Sequence, residues 1–174
     1  MNDSLKKVVG TMFFSDGKLL IDKPRKRSTF QMIGGSVEDN ETPLEAAIRE
    51  CHEELGKNAI FDEDKFKLIM EFDEIATSDQ TTKIHFYVFM YEGNLKGELT
   101  TSEEIEKFMW FSINDDVNLL SNTLKNEVVP YCINNNLIYE KKVKYFTFLF
   151  LNKFHICIFI FSNNIIYIKC IYIS

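Results

Sequence analysis

Three glutamates, Glu50, Glu53 and Glu54, follow one another at i, i+3 and i+4. On a helix this spacing sets their carboxylates within roughly 100° of each other. Like charges so placed weaken a helix by a few tenths of a kcal/mol per pair. Two readings stand on spacing alone. The stripe is a solvated acidic face, or it is a set of oxygen ligands for a hard divalent cation, Mg²⁺ or Mn²⁺, which keeps positions open for water and substrate phosphate.

The local sequence predicts the helix that carries them, over Pro43–Leu55. Thr42 is suited to cap it, Pro43 to its first position, Glu45 to the third position of a capping box, and Gly56 ends it. Leu44, Ala47, Ile48, Cys51 and Leu55 recur at steps of three and four, and this stripe is expected to face the core. His52 falls away from the acidic stripe and is expected to be exposed.

The residues around the helix narrow the reading. From Gly35 to Gly56 the chain reads GSVEDNETPLEAAIRECHEELG, which resembles the signature of the Nudix hydrolases: Gly, five residues, Glu, seven residues, Arg-Glu, an apolar residue, any residue, Glu-Glu, any residue, Gly, apolar residue. Gly35, Glu41, Arg49, Glu50, Glu53, Glu54 and Gly56 occupy all seven fixed positions, a coincidence of about one in a million or less at background frequencies. Cys51 stands at an apolar position, and Lys57 replaces the final aliphatic residue. Gly34 and Trp110 extend the likeness over about residues 5–138.

The resemblance implies an α/β (α+β) fold, an α/β/α sandwich with a mixed β-sheet and a catalytic loop–helix–loop. It also implies hydrolysis of a nucleoside diphosphate linked to another moiety, with Mg²⁺ or Mn²⁺ as cofactor. Carried onto this chain, Glu50 and Glu54 are direct metal ligands and Glu53 is a third ligand or the base that activates water. Arg49 pairs with Glu41 and orients a carboxylate, and Gly35 or Gly34 offers a backbone carbonyl to the metal. Glu104, with Glu103 beside it, is a candidate for a further base or ligand from an outside loop, against the reading of a solvated acidic loop. Arg25 and Arg27 are candidates for a substrate phosphate, against an exposed basic loop. Phe30, Phe86 and Tyr87 are candidates for stacking a base, against ordinary core positions.

Subfamily marks for ADP-ribose or dinucleoside polyphosphates are missing around Glu71–Glu74, and the compact size is similar to MutT-type enzymes. A nucleoside triphosphate, oxidised ones included, cleaved to monophosphate and pyrophosphate is therefore the expected reaction. The alternatives are an ADP-ribose, nucleotide-sugar or dinucleotide pyrophosphatase and a catalytically silent Nudix-fold nucleotide-binding regulator.

These residues need a scaffold, and the pattern supplies one. Lys7–Phe14 and Lys18–Ile21 flank Ser15-Asp16-Gly17 and read as a hairpin. Further strands are expected at Phe66–Phe72, Lys83–Tyr91 and Glu106–Phe111, with a short apolar stretch at Phe30–Ile33, a turn within Ile113–Leu120 and a second helix from near Asn122 toward Asn134. Strands and helices do not alternate strictly, which points to a mixed sheet flanked by helices.

Of 174 residues, 45% are apolar and 26% charged, which excludes disorder and coiled coil. After Glu140 there is no acidic residue but five lysines, so removing them from the net charge of −6 leaves −11 on residues 1–140. That acidity excludes a non-specific nucleic-acid binder. The four cysteines form no C-x-x-C pair, no secretory h-region opens the chain, and a cytoplasmic monomer or homodimer is expected. Residues 1–140 are read as the hydrolase domain and 141–174 as an apolar, basic extension. For the latter, a membrane anchor over Tyr145–Phe161, a hairpin around Ser162-Asn163-Asn164, and an extension beyond the domain's usual end all stand.

Overall fold

The computed structural model describes residues 5–76 and 81–140 and, beyond them, the strands at 144–146, 155–162 and 165–172. The chain divides into two units, Met1–Glu140 and Lys141–Ser174.

The first unit holds β1 (Lys6–Met12), β2 (Phe14–Ser15), β3 (Lys18–Pro24), α1 (Pro43–Leu55), β4 (Phe66–Ile75), β5 (Lys83–Tyr91), β6 (Ile105–Phe111) and α2 (Val129–Asn134). One sheet has the order β1-β5-β4, with β1 parallel and β4 antiparallel to β5; a second has the order β2-β3-β6, all antiparallel. Residues 30–36 bridge them. Ile33 pairs with Thr11 and Ser36 with Val8 on β1, while Gln31 pairs with Asp22 on β3.

The single hairpin expected from Lys7–Phe14 and Lys18–Ile21 is corrected. Only Phe14 and Ser15 fold back on β3, through the two-residue turn Asp16-Gly17 with φ of 55° and 74°. β1 instead pairs in parallel with β5, because its second half, Val9–Met12, is buried on both faces and needs neighbours on both sides. The second helix also departs from a plain α-helix. Leu124–Val128 is a π segment that runs into Val129–Asn134. Pro130 has no N–H for the carbonyl four residues back and its ring crowds that carbonyl, and widening the preceding turn relieves both.

Alternation along β3 shows where the layers lie. Leu19 and Ile21 pack with Leu124, Val128 and Cys132, whereas Leu20 packs with Cys51 and Leu55 of α1. Successive side chains of a strand point to opposite faces, so the two helices cover opposite faces of β3. Full burial of each such side chain is worth about 1.5–3 kcal/mol. The buried side of α1 is Ala46, Ala47, Cys51 and Leu55, not the whole expected stripe, since Leu44 is exposed. Helical side chains lean toward the N-terminus, so Leu44, in the first turn, leans off the end of the helix.

In the second unit β7 (Lys144–Phe146), β8 (His155–Ser162) and β9 (Ile165–Tyr172) form an antiparallel sheet in that order. The expected turn at Asn163-Asn164 lies outside the described residues. No described helix is long and apolar enough to cross a membrane.

Candidate active site

The site is built from the start of α1 outward. Thr42 accepts from the Glu45 amide at 3.2 Å while Glu45 accepts from the Thr42 amide at 2.7 Å, which completes the capping box. The start of the helix is thereby fixed, and with it the direction in which its glutamates project.

Arg49 is the hub of one end of the site. It grips Glu41 with two bonds, Nη2 to Oε1 at 2.8 Å and Nε to Oε2 at 3.2 Å. It also donates to Glu50 at 2.9 Å, to Glu53 at 3.3 Å and to the Ser36 carbonyl at 3.0 Å. One guanidinium thus ties the loop before the helix to two of the three glutamates, using the planar fork that lysine lacks. Hydrogen bonding to Arg49 holds Glu41 below the usual carboxylate range, and the same bonds hold Arg49 firmly protonated. Glu50 shares that guanidinium yet moves upward, because burial outweighs the attraction; its side chain is 14% exposed. Glu53 remains open to solvent, at 60%. Gly35 makes room for Glu50, since a Cβ there would stand 2.4 Å from Oε1.

Among the described residues no cationic side chain bonds to the other end. Glu54 is turned inward, and its Oε2 accepts from the Gly34 amide at 2.7 Å. Gly34 has φ of 148°, and a Cβ would strike the Val9 carbonyl at 2.2 Å, so only glycine can present its amide there. Beside Glu54, within hydrogen-bonding reach of its carboxyl, stands Asp22, 0% exposed, on the α1 face of β3; neither of its oxygens meets an N–H or hydroxyl donor among the described residues. Burial, above all, pushes both carboxyls up, and in Glu54 the neighbouring Asp22 adds to the rise. Leaving a buried carboxylate without partners costs several kcal/mol. Such an acid calls for a partner.

A cleft of about 690 Å³ opens beside this end, a volume suited to a nucleotide-sized ligand. Asp22, Gly34, Gly35 and Glu54 line it together with Thr29, Gln31, Phe86 and the Leu120–Leu124 stretch.

A family model, the NUDIX domain, matches residues 5–131. The chain belongs to the Nudix family. The comparison with curated proteins gives no match. Among solved structures, the MutT NUDIX hydrolase from Burkholderia pseudomallei is similar at 22% identity and TM-score 0.59, over 69% of this chain and 92% of its own. The MutT protein from Methanosarcina mazei is similar at 17% and 0.61, over 78% and 98%. A bifunctional NMN adenylyltransferase/ADP ribose pyrophosphatase from Francisella tularensis, complexed with AMP and Mn ion, is similar at 14% and 0.59, over 76% and 42%.

As a Nudix pyrophosphohydrolase, the chain should offer a divalent cation a suitable donor set. Among the described residues no three acidic, histidine or cysteine side chains close around one point, since Glu50 is drawn to Arg49 and Glu54 to Gly34. Mg²⁺, however, uses one or two carboxylates and leaves the rest to water and phosphate. All donors here are oxygen, and one buried carboxylate has no N–H or hydroxyl partner among the described residues; the residues fit such an ion.

The other candidates scatter. Arg27 borders the Nudix cleft, whereas Arg25 donates from Nε to the Glu103 carbonyl at 3.0 Å and from its amide to the Glu104 carbonyl at 2.8 Å. Those bonds pin the loop of Glu103 and Glu104 to the end of β3, and both glutamates are exposed and away from the cleft. Phe30, a stacking candidate, is corrected to a core residue: it is 5% exposed among Leu120, Met32 and Phe111, off the cleft wall. Its strand-like bridge to Leu120 turns the ring inward. Phe86 does border the cleft, and Tyr87 does not. His52 is exposed and bonds Glu63 at 3.1 Å. Asp22 escaped the sequence reading. The signal was an acid closing the apolar run Leu19-Leu20-Ile21, where alternation places it on the same buried face as Leu20.

Proposed function

We propose that this Nudix pyrophosphohydrolase acts on nucleoside triphosphates, oxidised ones included, releasing nucleoside monophosphate and pyrophosphate. The observation that carries the reading is the pairing of a complete glutamate helix, set by Arg49, with a nucleotide-sized cleft that begins at Glu54. Glu50, Glu54 and the Gly35 or Gly34 carbonyl would hold Mg²⁺ or Mn²⁺, with Glu53 as a further ligand or as the base. The ion, when bound, supplies positive charge against the polyphosphate and makes a water more acidic. Glu53, exposed and only weakly held at 3.3 Å by Arg49, is free to take a proton from attacking water. Arg27, at the cleft, is placed to meet a phosphate. Arg49 acts through Glu50 and Glu41 and does not touch substrate.

A second reading, hydrolysis of ADP-ribose or a related dinucleotide, draws on the Francisella tularensis structure, whose name includes that activity. A panel of the common and oxidised nucleoside triphosphates, ADP-ribose, nucleotide sugars and dinucleoside polyphosphates, each with Mg²⁺ or Mn²⁺, separates the two. Pyrophosphate from triphosphates is the expected product; AMP from ADP-ribose alone would favour the second. No product from any member would support a silent nucleotide-binding regulator.

A further inference from the structure

Asp22 has no part in the Nudix motif and lies twenty-eight residues before Glu50, on another element. It is fully buried, its oxygens meet no N–H or hydroxyl donor among the described residues, and what it faces within hydrogen-bonding reach is the Glu54 carboxyl, a second acid. The nearby cationic side chains are engaged elsewhere or exposed. Arg49 serves Glu41, Glu50 and Glu53, Lys23 pairs with Glu106 at 2.7 Å, and Arg27 is an exposed residue of the cleft. Both acids border the same cleft, beside Gly34. A buried carboxyl on a strand beside a part-buried one on a helix makes two hard oxygen donors with no cationic group bonded to either among the described residues, the composition a divalent cation completes.

We propose that Asp22 is a ligand of the divalent cation together with Glu54, so that the ion bridges strand β3 and the catalytic helix α1. The inference rests on the reading of α1 as a cation-binding helix. It adds a carboxylate that the motif does not contain, and it makes binding of the ion a tie between two elements of the fold.

The test uses the full chain and the metal alone. Mn²⁺ binding without nucleotide is followed by electron paramagnetic resonance or calorimetry in wild type, Asp22→Asn and Glu54→Gln. The expected result is a loss of about tenfold or more in Mn²⁺ affinity for Asp22→Asn, with a melting temperature in EDTA no lower than that of wild type. Unchanged affinity in Asp22→Asn would overturn the assignment. So would a defect confined to KM for one nucleobase, which would make Asp22 a base-reading residue. Should Asp22→Asn fail to fold, Asp22→Cys keeps the question open to measurement: a soft thiolate ligand should recruit Cd²⁺ and give thiolate-to-metal absorption beyond that of wild type, and no added absorption would overturn the assignment. A wild type that binds Mn²⁺ in an Asp22-dependent way but hydrolyses no nucleotide would support the ligand and end the hydrolase reading.

Discussion

The two ends of the acidic helix are built on opposite electrostatic plans. At the outer end, Glu41, Glu50 and Glu53 share one guanidinium, and the loop carbonyl of Ser36 completes its contacts. At the inner end, part-buried Glu54 lies beside buried Asp22 and accepts from the Gly34 amide. The difference separates two tasks. Arginine neutralises and orients where geometry must be held before any ligand arrives, and its absence from the inner end leaves charge for an ion to satisfy. A protein that neutralised both ends with its own side chains would be more stable without metal and would have little affinity for it.

The largest expected effects fall on the glutamates themselves. Glu53→Gln and Glu54→Gln should each lower kcat by about 10²–10⁴-fold while circular dichroism stays unchanged; near-wild-type rates from both would erase the distinction between the ends. Next comes the hub. Arg49→Lys keeps the charge but loses the fork, so activity or metal affinity should fall about 10–100-fold, with a smaller loss for Glu41→Gln, as kcat/KM and a Mn²⁺ titration would show. A full rescue by lysine would mean that Arg49 supplies charge alone.

A pH experiment in EDTA sharpens the comparison further. Asp22 and Glu54 hold protons more tightly folded than unfolded, so their protonated forms stabilise the fold. That stability is full below the ordinary carboxylate range, about pH 4, and is lost as pH rises from there through the raised values. Glu41 has the opposite sign. It is held low by Arg49, so its stability is present above the ordinary range and lost as pH falls through the lowered value. Thermal melts should therefore show Asp22→Asn gaining on wild type as pH rises from about 4, and Glu41→Gln losing against it at neutral pH but not in acid. Saturating Mn²⁺ should abolish the alkaline advantage of Asp22→Asn. The smallest effect is expected from the second unit: removal of residues 142–174 should leave kcat/KM unchanged, and a folded but inactive truncation would tie that unit to the site.

The outer end was legible in the sequence because its logic is local. Thr42, Pro43 and Glu45 announce the helix start, the spacing of Arg49, Glu50, Glu53 and Glu54 fits one helix face, and the motif carries the Nudix fold with it. The inner end was not legible, because Asp22 gains its meaning from strand alternation on β3 and from packing against a helix some thirty residues away. The same nonlocality hid the parallel pairing of β1 with β5, for which residues 6–12 must meet residues 84–90, while the nearby turn residues suggested a simple hairpin. Phe30 is a related case: an aromatic beside a basic loop reads alike whether its ring faces a cleft or the core, and only its burial in the cluster of Met32, Phe111 and Leu120 decides.

The most direct test of the helix as a catalytic centre is product analysis for the full chain and Glu54→Gln on nucleoside triphosphates with Mg²⁺ or Mn²⁺. Metal-dependent release of pyrophosphate and nucleoside monophosphate by wild type, lost in Glu54→Gln, is the expected result; equal turnover by both proteins would contradict the catalytic helix, and none by wild type on any triphosphate would contradict the triphosphate reading.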